Sequence, residues 1–539
     1  MAILIRGGSI ADGTGGQMVR ADLLIERGRI ARMLSPNRRP GRDVVLIDAG
    51  GLVVCPGFID LHSHADFSIE RQPAATGLLA QGVTSAVTGN CGWSPFPLRP
   101  GPDGSEQLRE WSAFLGGGPT WDWNDLDGFA HTVDATGPGV RVLPLIGHIP
   151  VRLAELWGER RSPDPLELLR MRDHVRRAMV QGAWGLSTGL IYAPGSFAGS
   201  DEIEALVQVA ASAGGLYATH IRDETSRLFE AIDEAISTVE AMHRAGAEPR
   251  LQISHIKAMG PANHGSVPGA LARIDDARAS GLDVAADVYP YTASGTTLAS
   301  RLPVWALEGG ADELCARLHH EGSRERIYDE LAQRFERGDF DPGGIVLSGL
   351  GTGRFSSARG YSLTDLARML DISPAEAALS VLAAHHGVVG IINHAMSEDD
   401  VRAAVAHPFV AIASDGGAVD VTGAGTTHPR AFGTFARLFA RYVREQGIIS
   451  IEEAVRKCTA LPASRLGLVD LGIIRPGAIA DITIFDPAAI RDIADYEDPW
   501  QLAVGVHAVL VGGRAVLLDG QPTGERAGGV LRRGMVSAA

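Results

Sequence analysis

Histidine and aspartate side chains recur in this sequence where predicted β-strands end. His62 and His64 close one β-rich run, His220 and His255 each close another, and Asp415 closes a run near residue 410. Neutral imidazoles and carboxylates are usual ligands of zinc and similar divalent ions. These residues therefore predict a metal site, and a bound divalent cation would polarise a carbonyl group and activate water for hydrolysis.

The residues at the other strand ends support a metal-binding role for the His-x-His pair. His62 and His64 are two residues apart, so on a strand both imidazoles point to the same side. That motif alone fits a surface pair equally well. It becomes a metal motif because His220, His255 and Asp415 occupy the matching ends of other predicted strands.

Cys91 lies at a further strand end, in the glycine-flanked turn Gly89–Gly92. A metal ion would deprotonate its thiol. A free cysteine is equally typical of a small buried hydrophobe, so residue type and position leave both readings open. The other three cysteines have no such placement, and we interpret them as structural: Cys55, Cys315 and Cys458.

Parallel βα units are predicted to position these residues. Eight β-rich runs alternate with amphipathic helical patterns such as Asp201–Ala213, Glu224–Ala245 and Val267–Ser280. The eight runs are Pro56–His64, Val83–Cys91, Arg141–His148, Ala183–Tyr192, Leu216–Arg222, Leu251–Lys257, Leu282–Tyr289 and Phe409–Asp415. This α/β pattern predicts a (β/α)8 TIM-type barrel, in which active sites lie at the carboxyl ends of the strands.

Short β-rich runs at both chain ends predict a second, smaller domain. We expect residues 1–55 and 465–539 to form a small β-sheet domain and residues 56–464 to form the barrel. Roughly 120 residues separate the seventh barrel strand from the eighth, far more than a plain βαβ unit needs. An inserted helical subdomain is therefore expected at about residues 295–407.

The charge and hydropathy of the chain limit the kinds of molecule that it is expected to bind. Among 539 residues the acidic side chains outnumber the basic ones, and the net charge of −15 argues against nucleic acid. No apolar run reaches the roughly 18 residues of a membrane helix, and Arg6 interrupts the apolar stretch that a signal peptide would need. We expect a cytoplasmic protein without a membrane partner. The sequence leaves the oligomeric state open.

Several motifs resemble those of the N-acyl-D-amino-acid deacylase (D-aminoacylase) family of the amidohydrolase superfamily. The resemblance covers essentially the whole chain. It is carried by Pro56–His64, Gly89–Gly92, Leu186–Gly195, Thr219–His220, Ile253–Lys257, Ser414–Gly416 and His428–Phe435.

The resemblance implies zinc-dependent hydrolysis of a small-molecule N-acyl-D-amino acid to a carboxylic acid and a D-amino acid. It implies that one zinc ion is held tightly by Cys91, His220 and His255, and that a second, weaker position is lined by His62, His64 and Asp415. It further implies that Asp415 is the general base and acid, and that the substrate carboxylate is gripped by Tyr192, Lys257 and Arg430. The preference for the D hand rests on the resemblance alone.

Two alternatives stay open at this point. The first is a cyclic-imide or dipeptide hydrolase of the same superfamily. Cyclic-amide hydrolases usually carry a carboxylated lysine on the fourth strand, and the run Trp184–Tyr192 contains none. The second is an inactive metal-binding scaffold, against which the retained Asp415 argues. Phe432 stands where tyrosine is common in the family, which leaves the acyl group and the side chain of the substrate open.

Overall fold

Strands and helices alternate through most of the chain. The computed structural model describes residues 2–36, 44–99, 101–115, 120–421, 423 and 427–534. The β-strands are β1 (Ala2–Ile10), β2 (Val19–Glu26), β3 (Arg29–Leu34), β4 (Val44–Asp48), β5 (Val53–Pro56), β6 (Phe58–Asp60), β7 (Val83–Thr88), β8 (Arg141–Pro144), β9 (Ile146–Gly147), β10 (Gly185–Gly189), β11 (Leu216–His220), β12 (Arg250–Ile253), β13 (Asp283–Val288), β14 (Ala293–Thr297), β15 (Ile345–Gly349), β16 (Gly390–His394), β17 (Val410–Ile412), β18 (Ile482–Phe485), β19 (Val506–Val511), β20 (Arg514–Leu518), β21 (Gln521–Pro522) and β22 (Gly529–Val530).

The helices lie mainly between the barrel strands and in the segment before β17. They are α1 (Thr76–Leu79), α2 (Pro102–Trp111), α3 (Leu126–Thr136), α4 (His148–Leu156), α5 (Pro165–Val180), α6 (Ser200–Ser212), α7 (Leu228–Arg244), α8 (Val267–Ala279), α9 (Ala311–His319), α10 (Glu321–Glu336), α11 (Leu363–Leu370), α12 (Pro374–Ala384), α13 (Glu398–Ala406), α14 (Arg430–Arg437), α15 (Ile451–Cys458) and α16 (Ala460–Leu466). A π-helical segment, Leu438–Glu445, continues α14. Short 3-10 turns lie at Ala65–Phe67, Ala113–Leu115, Gly195–Phe197, Pro261–Asn263, Leu298–Arg301, Val304–Leu307 and Ser356–Ala358.

Eight parallel strands form a barrel, which confirms the predicted fold class. The strands follow one another as β6, β7, β8 with β9, β10, β11, β12, β13 and β17. The last and first strands meet through two hydrogen bonds: the Asp415 amide donates to the His62 carbonyl at 2.8 Å, and the His64 amide donates to the Gly416 carbonyl at 2.7 Å. These bonds place the ends of the first and eighth strands side by side.

Strands β7, β10 and β11 are buried along their whole length, as expected where helices cover the outside of a parallel barrel and side chains fill its inside. The helices that follow β10, β11 and β12 end just before glycines with positive φ: Gly214, Gly246 and Gly281. Of the three predicted helix starts quoted above, one was wrong by four residues. The helical pattern starts at Glu224 in the sequence, but α7 begins at Leu228, so Glu224 lies in the loop after β11.

Between β13 and β17 the chain forms a separate layer. β14, β16 and β15 make a three-stranded antiparallel sheet, which the sequence analysis did not predict. Helices α9 to α12 pack with this sheet around an apolar cluster that includes Leu314, Leu347 and Leu379. The insertion is therefore mixed α and β.

Both ends of the chain contribute to one nine-stranded sheet, as predicted. Its order is β21-β20-β19-β18-β5-β1-β2-β3, with β4 also paired to β1. The described chain then leaves this sheet, because β22 pairs in parallel with barrel strand β8. The boundaries at residues 55, 56, 464 and 465 stay a prediction. Within the described residues, every helix is too short or too polar to cross a membrane.

A bidentate ion pair joins the terminal sheet to the barrel. Arg141 in β8 donates from Nε and Nη2 to the Asp481 carboxylate at 2.8 and 3.1 Å, and Asp481 also accepts the Gly512 amide at 2.6 Å. Asp481 is 4% exposed and the Arg141 side chain is 17% exposed, so removal of the carboxylate would leave a largely buried guanidinium without its partner.

We expect Asp481→Ala to lower the free energy of unfolding by about 3 kcal/mol, because breaking a buried pair strands the other charge. Chemical denaturation followed by circular dichroism measures this. Asp48→Ala is the matched control, since Asp48 meets Arg6 at the surface, and we expect its midpoint to equal that of the parent. Equal midpoints for both variants would contradict an anchoring role for Asp481.

Candidate active site

The predicted metal ligands meet at the carboxyl ends of the barrel strands. His62 and His64 follow β6, Cys91 follows β7, and His220 is the last residue of β11. His255 lies two residues after β12, and Asp415 lies three residues after β17. His64 is partly exposed, and the other five side chains are buried.

Two overlapping groups of these side chains could hold a metal ion. Cys91, His220 and His255 form one group, and His62, His64, Cys91 and Asp415 form the other. The ligand atoms within each group lie within 4.8 Å of one another. Cys91 Sγ belongs to both groups.

Short distances link the two groups. Cys91 Sγ lies 3.2 Å from His62 Nε2 and 3.3 Å from His255 Nε2. Asp415 Oδ1 lies 3.1 Å from His64 Nε2 and 3.4 Å from His62 Nε2. The buried His220 ring makes no hydrogen bond from either nitrogen in the described part of the chain, although a Glu224 carboxylate oxygen lies 3.4 Å from its Nε2. A buried imidazole that makes no hydrogen bond and lies within 4.8 Å of a thiol fits a metal ligand.

Neighbouring charges in the site favour the deprotonated forms of Cys91 and Asp415. Burial raises the pKa of the Cys91 thiol, but His62 and His255 outweigh burial and hold this pKa well below its usual value. Burial likewise raises the pKa of Asp415, while Arg430 and His62 hold it well below the usual range. Thiolate and carboxylate are the forms that bind metal ions.

Three of the six ligand residues have left-handed backbone conformations. The φ angles are +53° at Cys91, +35° at His255 and +50° at Asp415. For a residue other than glycine this conformation costs roughly 1–2 kcal/mol. Because positive φ is uncommon outside glycine, its recurrence here marks a site where side-chain direction overrides backbone preference.

Two further carboxylates hold the strand ends in place. Asp60 accepts hydrogen bonds from the Ser414 amide at 2.8 Å and the Ser414 hydroxyl at 2.5 Å, and so ties β6 to the segment after β17. Asp66 accepts the Gly89 amide at 2.9 Å and so holds the turn that carries Cys91. Burial raises the pKa of each carboxyl to about 7.

Glu224 is a site residue that the sequence analysis missed. Its carboxylate lies 3.4 Å from His220 Nε2, 3.2 Å from His255 Nδ1 and 2.5 Å from Lys257 Nζ. Burial raises the pKa of Glu224, but His220 and Lys257 hold it well below its usual value. A carboxylate beside two candidate ligand imidazoles can orient their rings. The available signal was its spacing, four residues after His220.

The three residues predicted to grip a carboxylate all line the cavities around the metal ligands. Arg430 Nη1 donates to Asp415 Oδ2 at 2.7 Å, and its Nη2 donates to the Gly295 carbonyl at 3.1 Å. The Tyr192 hydroxyl lies 3.2 Å from Thr296 Oγ1. Lys257 is engaged by Glu224 and by His255 Nδ1, the latter at 2.6 Å. Their substrate roles stay predictions.

Arg301 is a second residue that the sequence analysis missed. It is 2% exposed, lines the compartment that contains His220, His255 and Lys257, and packs 4.7 Å from the centre of the Phe340 ring. Its Nε and Nη1 atoms have no hydrogen-bond partner among the described residues. Burial lowers its pKa to about 10, so the guanidinium is still charged at neutral pH.

Comparison with known proteins agrees with this geometry. The model of the amidohydrolase family matches residues 45–517. N-acyl-D-glutamate deacylase of Alcaligenes xylosoxydans xylosoxydans is 35% identical over 98% of this chain and 96% of its own. The chain belongs to the amidohydrolase family.

Solved structures place this amidohydrolase in the D-aminoacylase branch, as the sequence motifs predicted. The N-acyl-D-glutamate deacylase of Bordetella bronchiseptica, complexed with zinc and a phosphonate mimic of the tetrahedral intermediate, superposes with a TM-score of 0.82. It is 33% identical, and the match covers 98% of this chain and 99% of that one. A D-aminoacylase with a binuclear metal centre has a TM-score of 0.81 and 30% identity, with 98% and 99% covered.

In this amidohydrolase both candidate groups of metal ligands include Cys91. We expect Cys91→Ala to weaken zinc binding more than about 100-fold, because loss of an outer-shell partner already costs 10–100-fold and a direct ligand contributes more. Competition titration against a chromophoric chelator measures the affinity. Cys315→Ala is the matched control, since Cys315 lies in α9, outside both ligand groups. Parent-like affinity in Cys91→Ala would remove the thiol from the ligand set.

Proposed function

We propose that this amidohydrolase is a zinc-dependent deacylase that hydrolyses N-acyl-D-amino acids to a carboxylic acid and a D-amino acid. One observation carries the proposal: two groups of metal ligands share Cys91 and open onto compartments lined by Arg430, Lys257 and Arg301. A linear N-acyl amino acid offers an amide to the metal groups and a carboxylate to the cationic side chains. The similar proteins named above act on N-acyl-D-glutamate or are D-aminoacylases.

In this proposal Cys91, His220 and His255 hold the tightly bound zinc, and His62, His64 and Asp415 line a second, weaker position. The binuclear centre of the similar D-aminoacylase supports two positions. When bound, zinc supplies Lewis acidity, which polarises the amide carbonyl and makes water acidic enough to act as a nucleophile near neutral pH. We propose a cytoplasmic location, as the sequence indicates.

Asp415 carries the proton in this scheme. Its Oδ1 faces His62 and His64, whereas its Oδ2 accepts a hydrogen bond from Arg430. A substrate carboxylate that draws Arg430 towards itself frees Oδ2, which then accepts the proton of water and returns it to the leaving nitrogen. Substrate binding and proton transfer are coupled through one guanidinium.

Arg430 and Lys257 are suited to the α-carboxylate. Arg430 presents its fork towards the cavity beside Asp415, and bidentate contact with a carboxylate is the geometry that arginine favours. Lys257 adds a point charge, and the Tyr192 hydroxyl adds a hydrogen bond. Both Lys257 and Tyr192 border the Arg301 compartment.

Arg301 points to substrates with an acidic side chain. A buried guanidinium is costly unless an anion pairs with it, and Nε and Nη1 have no partner in the described part of the chain. The α-carboxylate is already served by Arg430 and Lys257 in this proposal. A second carboxylate on the substrate, as in N-acyl-D-glutamate, would give Arg301 its partner.

Matched N-acetyl-D-glutamate and N-acetyl-L-glutamate test the function. We expect the zinc-loaded enzyme to hydrolyse the D substrate at least about 100-fold faster, activity to disappear with chelator, and zinc to restore it. Asp415→Asn is expected to lower kcat by about 10²–10⁴-fold, since general acid–base catalysis contributes that much. Turnover of the L substrate alone would overturn the stereochemical claim, and full activity in chelator would overturn the mechanism.

Arg301→Met tests the acidic side chain. Hydrogen bonds to charged groups contribute about 1.5–3 kcal/mol, so we expect kcat/KM for N-acetyl-D-glutamate to fall by about 10–150-fold. N-acetyl-D-methionine should be affected little or should improve, because the compartment becomes apolar. Arg326→Met is the control, since Arg326 stacks on Trp305 at the surface. Equal losses for both substrates in Arg301→Met would count against a contact with the side chain.

A further inference from the structure

A second, apolar cavity lies beside the metal compartment. The centre of a water-sized sphere can occupy about 100 Å³ of it, and it lies between the 3-10 turn Ala113–Leu115 and the start of α9. Aromatic and aliphatic side chains dominate its walls, among them Trp93, Trp111, Phe114, Tyr192, Leu307 and Leu314. Apart from Tyr192, its described lining contains none of the residues assigned above to the metal or to the carboxylates.

Three aromatic rings form the wall between this cavity and the metal compartment. Trp93, Phe114 and Tyr192 line both spaces, and the metal compartment also contains Cys91 and Asp415. The Phe114 ring lies 5.9 Å from the Tyr192 ring and 5.5 Å from the Trp93 ring, measured between centroids. The two spaces are therefore neighbours that are separated by a single layer of side chains.

The two spaces on either side of this wall differ in the charge of their lining residues. Arg301, Lys257 and Arg430 line the compartments around the metal ligands. The described lining of the apolar cavity contains no cation, and its charged member is Glu110. Burial raises the pKa of Glu110, and nearby Asp312 and Glu106 raise it further. This environment disfavours a carboxylate and favours a neutral chain.

We propose that this cavity is the binding site for a linear alkyl chain of the substrate's acyl group, longer than acetyl. The inference rests on the proposed deacylase function and names the acyl class that the function leaves open. An N-acyl-D-amino acid whose carboxylates meet the cationic compartments must direct its acyl chain elsewhere. The apolar cavity adjoins the same metal compartment, and its lining is chemically matched to methylene groups.

N-acetyl-, N-hexanoyl- and N-adipoyl-D-glutamate test the proposal with the zinc-loaded enzyme. A buried methylene contributes up to about fourfold, so we expect N-hexanoyl-D-glutamate to have a kcat/KM at least roughly tenfold above that of the acetyl substrate. The adipoyl chain has the same six carbons but ends in a carboxylate, so its kcat/KM should fall well below that of the hexanoyl substrate.

Two variants on helix α9 test whether the preference for the hexanoyl substrate depends on this cavity. Ala311 at the start of α9 lines the cavity, and Ala316 on the same helix is exposed outside it. Ala311→Phe should lower the hexanoyl-to-acetyl ratio of kcat/KM at least about fivefold, since the new ring occupies the space of several methylenes. Ala316→Phe should retain the parent ratio, and circular dichroism checks that both variants are folded.

The possible results distinguish a failure of the acyl-chain site from a failure of the proposed deacylase function. If N-acetyl-D-glutamate is hydrolysed but the hexanoyl substrate is no better, the acyl site is wrong and the deacylase function stands. If kcat/KM rises instead with the length of an apolar D-amino-acid side chain and falls in Ala311→Phe, the cavity belongs to that side chain and the inference is overturned. If no D substrate is hydrolysed, the proposed function fails and the inference fails with it.

Discussion

The thiol of Cys91 lies where two groups of metal ligands meet, and backbone contacts too close for any side chain keep it there. A Cβ atom on Gly189 would lie 1.9 Å from the Cys91 carbonyl oxygen, and one on Gly92 would lie 2.5 Å from the Gly189 amide nitrogen. The turn after β7 is therefore pressed against the end of β10. Asp66 holds the same turn from its other side through the Gly89 amide. The distances from Sγ to His62 and His255 depend on this packing.

Much of the metal site follows from the sequence because parallel strands end at a common edge. His62, His64, His220, His255 and Asp415 could be placed together once eight strands were recognised, since the carboxyl ends of a barrel meet around one opening. Cys91 was different. Its residue type fits a buried hydrophobe as well as a ligand, and only resemblance to a family distinguished the two.

Other features were beyond the sequence for identifiable physical reasons. Glu224 continues a helical pattern, yet the helix begins at Leu228, and the Glu224 carboxylate contacts His220, His255 and Lys257. Arg301 carries no motif, and basic residues are usually solvated. The three-stranded sheet of the insertion pairs segments that lie far apart along the chain, β14 with β16 near residues 295 and 392. Such pairing leaves little local trace in hydrophobic periodicity.

The left-handed conformations at Cys91, His255 and Asp415 have a consequence for protein engineering. Glycine would relieve the backbone strain at each position, because it adopts positive φ without a steric cost. The same exchange would delete a candidate metal ligand. Backbone strain and the candidate ligand therefore come together at these three residues. Where relief of strain outweighs the lost packing, a selection for thermal resistance that does not also demand turnover would favour glycine and remove the ligand.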